Sequence, residues 1–337
     1  MNDMAIREKS TAYYDIISFI SRINRAVRGK KLSTKLNPSP IADDLLHIFD
    51  DLNKMIDETP STFGDWFEKM KRTSTGLLEE ALPVVFQHAL IEVSTYFIES
   101  FGNATRNDYG TGHELAFIMF LCALYKIHAL TERDNLYVGL KIFNAYLQLV
   151  RRLQLTYGMG LAGSHGVSSM DDDQYVHVQF IWGSAQLSVK EPFEPKCFLE
   201  IDVNNRYKNE YYFIGYIDHI VRVKTGSFAE HSKQLSSLCS VDSWEIINSI
   251  LIEKYENELL AKFPVIQHLL LGSVLKLKEI SDHQKEIDRQ KVFQVILDQV
   301  ITDHLSKSTP IWEMISSQLR WTTISNKILK LISGRKH

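Results

Sequence analysis

The 337-residue chain predicts an all-α fold, a single multi-helix domain. Three observations lead there. Apolar residues recur at i, i+3, i+4 and i+7 through most of the length. No series of alternating apolar and polar residues marks a sheet, and Ile201-Asp202-Val203 reads as at most a short extended piece. No Pro/Gly/Ser linker and no fixed-period repeat divides the chain.

The helices follow in order. Tyr13, Ile16, Ile17, Ile20, Ile23 and Val27 form the first stripe. Ser39-Pro40 is an N-cap with proline at the first helical position, and Ile41, Leu45, Ile48, Phe49, Leu52 and Ile56 continue that helix until Pro60 closes it. A long pattern runs from Leu77 to Phe101, with Pro83 near enough to its start to be tolerated or to kink it. Thr111–Ile127 and Asn135–Tyr157 make a pair joined by a short polar turn. Later helices are expected at Glu210–Val223, Phe228–Leu238 and Ser243–Lys262.

Composition bounds the function. Apolar residues make up 45% and charged residues 23%, ordinary values for a soluble globular protein. A formal net charge of −3 gives no electrostatic case for nucleic acid or an anionic membrane as partner. The apolar run Leu115–Tyr125 is too short to span a bilayer. Cys122, Cys197 and Cys239 are sparse and odd in number, and the N-terminus leads into charge. The expectation is a reducing compartment, the cytoplasm, with the nucleus equally compatible.

Half of the sixteen glycines fall between Gly102 and Gly166, mainly in two loops, 102–112 and 158–166, that bracket a helical pair. Such loops either cap and turn or meet at one end of the body to form a site. The first contains Arg106 and then Asp108-Tyr109-Gly110-Thr111-Gly112-His113-Glu114, feeding an apolar helix. Thr111 and Glu114 have the spacing of a capping box, the commoner use of such a turn. The other reading is an anion site, because glycine admits a ligand to the backbone and helix N-termini present unpaired N–H groups. In the second loop, Asp171-Asp172-Asp173 are either oxygen ligands for magnesium or an acidic helix start. The chain has no G-x-x-x-x-G-K-[ST], H-E-x-x-H, Cys-x-x-Cys or G-x-S-x-G motif, and no histidine has an acid partner identifiable by spacing.

Five segments taken in order carry a resemblance: FGNATRNDYGTGHE, GLAGSHGV followed by DD, FIWGSAQL, KTGSFAEHS and KFPVIQH. Together they resemble the phosphotyrosyl phosphatase activator family over roughly residues 10 to 275. The resemblance implies an all-helical fold with core, linker and lid regions. It implies activation of serine/threonine protein phosphatase 2A through the catalytic subunit, held with its scaffold subunit. It also implies ATP and Mg2+ as cofactors and peptidyl-prolyl cis/trans isomerase activity on a proline-containing segment. Carried over by motif, ATP contacts map to Arg106, Thr111, Gly112, Gln267, His268 and Leu269. Metal contacts map to Gly166 and Asp172. Phosphatase or peptide contacts map to Asp108, Val167 and Glu230.

The chain departs from the family pattern where G-V-W-G-L-D-D becomes Gly166-Val167-Ser168-Ser169-Met170-Asp171-Asp172, and where Val176-His177-Val178-Gln179 precedes Phe180-Ile181-Trp182 without the usual proline. Loss of an aromatic anchor bears on partner affinity. The alternative function is therefore a phosphatase-binding assembly factor without isomerase activity. Residues 1–275 are expected to form the activator domain, and 276–337 a helical C-terminal extension that the resemblance does not explain.

Overall fold

The computed structural model describes residues 10–161, 177–260 and 271–278. The chain divides into two units, Met1–Glu279 and Ile280–His337, and every described residue lies in the first.

The expected all-α architecture holds. Helix α1 (Thr11–Val27) is capped by the Ser10 hydroxyl, which accepts from the Tyr13 N–H. Helix α2 (Pro40–Glu58) starts at the predicted Ser39 cap, with Pro40 at its first position. Both bury one stripe, as their periodicity requires. Helix α3 (Phe63–Ala81) and helix α4 (Leu90–Glu99) replace the single Leu77–Phe101 pattern. Pro83 is the reason: it disfavours helical backbone at Leu82, so α3 ends there. A 3-10 stretch, Val84–Ala89, then leads into α4.

Two helices are buried all round and form the middle of the body. Helix α5 (Thr111–Lys126) buries every residue from Glu114 to Tyr125. Helix α7 (Val178–Leu187) buries all ten of its residues. Between them in sequence, Asn135–Tyr137 and a π-helical turn, Val138–Ile142, run into helix α6 (Phe143–Tyr157). The short helix α8 (Ile201–Tyr207) corrects the extended reading of Ile201-Asp202-Val203. Helix α9 (Tyr212–Val223) packs on α7. The predicted 228–238 helix is two pieces, α10 (Phe228–His231) and α11 (Lys233–Ser237), broken where Ser232 leaves helical backbone. Helix α12 (Trp244–Lys254) begins at the Ser243 cap, continues as a π turn through Leu260, and also packs on α7.

The crossing of α7 with α9 depends on Gly183. A Cβ there would lie 2.4 Å from the Phe213 backbone nitrogen. That close approach lets Phe213 reach Phe180, Phe198 and Trp244, with ring centroids 5.1, 5.1 and 4.9 Å apart. On the other side of α7, the Trp182 indole N–H donates to the Ile20 carbonyl of α1 at 3.2 Å.

The expected absence of an alternating strand series agrees with the only strands among the described residues being two residues long. Two-residue strands β1 (Asp108–Tyr109) and β2 (Gly160–Leu161) pair in parallel. Pairs this short leave no alternation to read.

Candidate functional site

The β1–β2 pair brings the first glycine loop against the described start of the second, residues 158–161. Phe101 ends the α4 segment inside an aromatic cluster with Phe97, Trp66 and Tyr146. Gly102 then turns with φ 117°, and a Cβ there would meet the Asp108 carbonyl at 2.7 Å. The chain doubles back so that Asn103 and Asp108 exchange backbone hydrogen bonds, and the Asn103 side chain accepts from the Arg106 N–H at 2.9 Å. Across the pair, the Gly160 N–H donates to the Asn107 carbonyl at 2.8 Å.

The predicted capping box is absent. Gly110 is the N-cap of α5 and Thr111 is its first helical residue. Glu114 is drawn inward instead, with 1% exposure. Its Oε1 accepts from the Val178 N–H at 2.7 Å, capping α7 from 64 residues away. Its Oε2 lies 3.1 Å from His177 Nδ1, without hydrogen-bond alignment. Glu114 and His177 therefore tie the start of α5 to the start of α7. Sequence spacing could not show this, because the partners meet only through the fold.

A polar layer lies behind that junction. The Tyr109 and Tyr146 hydroxyls are 2.8 Å apart, and Tyr146 donates to the Ser100 carbonyl. Burial pushes both phenols well above their ordinary range. Arg151 donates to Gln179 Oε1 at 3.0 Å and lies over the Tyr216 ring, to which His219 is stacked. Burial, then the Arg151 charge, pushes the His219 pKa down to about 4. An unfolded histidine titrates near ~6.5, so below that pH the unfolded chain binds the proton first. This contribution to stability is complete above about pH 6.5 and is lost as the pH falls toward about 4. The expected result is a urea midpoint that declines from pH 7 to pH 5, with a shallower decline in His219→Gln.

The outer face of the turn carries one half-exposed arginine, paired with Asp108. Arg106 Nε donates to Asp108 Oδ2 at 2.7 Å, yet 57% of the arginine side chain remains exposed. Asp108 is buried, and its Oδ1 has no hydrogen-bond partner. His113 Nδ1 is 2.7 Å from the Glu99 carbonyl, which can only accept, so Nδ1 carries a proton. Burial lowers the His113 pKa. A Cβ on exposed Gly112 would meet nothing within 4 Å, so packing does not demand glycine there. The first N–H groups of α5 have no carbonyl of their own helix to bond. The His113 and Glu114 N–H groups donate to the Gly110 carbonyl. A half-exposed guanidinium, the helix start at Thr111 and Gly112, and open space suit a phosphate-bearing ligand.

The fold thus brings Arg106, Asp108, Thr111 and Gly112 together. Glu230 is elsewhere employed: exposed on α10, it accepts from the Ser227 N–H at 3.2 Å in a capping box. Gly166, Val167, Asp172, Gln267, His268 and Leu269 lie outside the described residues. No cluster of three or more potential metal-ligating side chains occurs among the described residues, and no helix among them is long and apolar enough to cross a membrane.

A family model described as phosphotyrosyl phosphate activator (PTPA) protein matches residues 1–277. A serine/threonine-protein phosphatase 2A activator of Drosophila melanogaster is 44% identical over 291 residues, covering 83% of this chain and 73% of that protein. A probable serine/threonine-protein phosphatase 2A activator 1 of Dictyostelium discoideum is 34% identical over 279 residues, covering 79% and 85%. The crystal structure of the PP2A phosphatase activator Ypa1 superposes with a TM-score of 0.74 at 27% identity, covering 82% of this chain and 92% of that one.

Proposed function

The chain belongs to the PTPA family, and on that premise we propose that it is an ATP- and magnesium-dependent activator of protein phosphatase 2A with prolyl cis/trans isomerase activity. The observation that carries the nucleotide part is the open start of α5, where the half-exposed Arg106 stands close in sequence to Thr111 and Gly112, the first two helical residues, and a Cβ on Gly112 would meet open space. The partner is the phosphatase catalytic subunit, held with its scaffold subunit.

Bound ATP–Mg2+ supplies phosphate charge and metal coordination at the interface with the phosphatase. The chain's own groups would hold it: Arg106, whose Nε is fixed by Asp108, would offset phosphate charge, and the α5 start would donate backbone N–H groups. Asp172 and Gly166 would serve the metal, on the motif match alone. Isomerisation needs no nucleophile. The roughly 18–20 kcal/mol barrier to rotation comes from amide resonance, and desolvating or twisting the peptide bond lowers it.

A second reading, phosphatase binding without isomerase activity, draws on one observation. Gln179, at a position that departs from the family pattern, is buried and committed to Arg151, and Ser168 stands where the family pattern has an aromatic residue and Ser169 where it has glycine. Phosphate release by the purified catalytic subunit, with and without ATP–Mg2+, and isomerisation of a prolyl test peptide separate the readings. Gains in both support the first; activation alone selects the second; neither gain refutes both.

A further inference from the structure

The loop between α1 and α2 is clasped to the body at a few points. Residues 30–39 form neither helix nor strand. The Gly29 N–H donates to the Ala185 carbonyl of α7, and the Gln186 side chain donates to the Lys30 carbonyl at 3.0 Å. The Leu32 N–H donates to the Glu210 carbonyl at 2.9 Å, just before α9. The Ser33 hydroxyl donates to Glu210 Oε2 at 2.6 Å, and Lys31 Nζ stands 4.0 Å from the same oxygen. One carboxylate thus holds two side chains of the loop.

Ser33 is exposed, as are Lys30 and Lys31. Lys30-Lys31-Leu32-Ser33 puts cations three and two residues ahead of a hydroxyl, a spacing that basic-directed protein kinases read with acidic pockets. Lys71-Arg72-Thr73-Ser74 has the same spacing, but Ser74 is fully buried in α3 and donates to the Met70 carbonyl, so a kinase cannot reach it.

We propose that Ser33 is a phosphorylation site for a basic-directed protein kinase, and that the phosphate releases the loop from Glu210. Ser33 Oγ attacks the γ-phosphorus of the kinase's ATP. The new O–P bond replaces the bond to the bridging oxygen, ADP leaves with that electron pair, and the hydroxyl proton passes to the kinase's base. The product has lost the hydrogen that Ser33 gave to Glu210. It carries about −1.5 to −2 charges beside a carboxylate, and like charges repel. Lys31, within 4.0 Å of that carboxylate, is placed to turn toward the phosphate. The Gly29 and Lys30 anchors to α7 do not involve Glu210, so the release begins at Lys31. The modification requires no nucleotide bound at the start of α5.

The test incubates the full chain with the catalytic subunit of cAMP-dependent protein kinase and ATP–Mg2+. Mass spectrometry should place phosphate on Ser33 and none on Ser74, and Ser33→Ala should lose that phosphate. Amide exchange at residues 31–36 should speed up by about tenfold on phosphorylation, the size of one lost hydrogen bond to a charged group. Glu210→Gln, which removes the repelling charge, should shrink that acceleration. An unmodified Ser33 in the folded chain, or phosphate on Thr34 in its place, overturns the site. Phosphate on Ser33 with unchanged exchange overturns the release.

Discussion

Glu114→Ala should lower the unfolding free energy by about 3–4 kcal/mol, read as a lower urea midpoint. Glu114 is a buried carboxylate whose Oε1 is the hydrogen-bond acceptor for the Val178 N–H. Truncation strands that N–H and removes the acid beside His177. An unsatisfied buried donor costs roughly 1–3 kcal/mol, and the cavity left by the side chain adds to it. Glu114→Gln should recover about half the loss, because a carboxamide oxygen can still accept from Val178. If Glu114→Ala matched wild type, the proposed tie between α5 and α7 would carry no stability, and the junction behind the turn would have to be held by packing alone.

Gly183→Ala should destabilise by about 2–4 kcal/mol, although alanine normally improves a helix interior by nearly 1 kcal/mol over glycine. The sign is therefore the informative part. The new Cβ would approach the Phe213 nitrogen to 2.4 Å and the Phe213 Cβ to 2.9 Å. Backbone cannot rotate aside as a flexible side chain can, so α7 and α9 must separate and unseat Phe213 from Trp244. A neutral or stabilising result in urea unfolding would mean that these helices cross at a greater distance.

Much of this was legible in the residues. The stripes of α1 and α2, the Ser39 cap and the start of the last helix at Ser243 follow from side-chain spacing that local structure alone enforces. The glycine-rich loops were readable as either caps or a meeting point, and the pairing of 108–109 with 160–161 shows that their described parts touch. Helix α7 was not. It is buried on every side like α5 but spans only ten residues, and so short an apolar run reads as strand or buried helix alike. The capping-box reading of Thr111 and Glu114 failed for a tertiary reason: the carboxylate that the local pattern assigned to its own helix is claimed by Val178. Neither His177 nor Ser33 could be paired from spacing, because their partners lie 63 and 177 residues away along the chain.

The central claim is that the start of α5, with Arg106 at its edge, holds ATP for phosphatase activation. An ATP–Mg2+ titration of phosphatase 2A activation, comparing wild type with Arg106→Ala, tests it most directly. Loss of a charge-assisted contact to phosphate should shift the half-maximal ATP concentration upward by about tenfold or more. Because Arg106 donates to the buried Asp108 carboxylate, whose other oxygen has no hydrogen-bond partner, Arg106→Ala should also lower the unfolding free energy by about 1–3 kcal/mol, so the titration is run where both proteins remain folded. Superimposable titration curves for the two proteins would contradict the account.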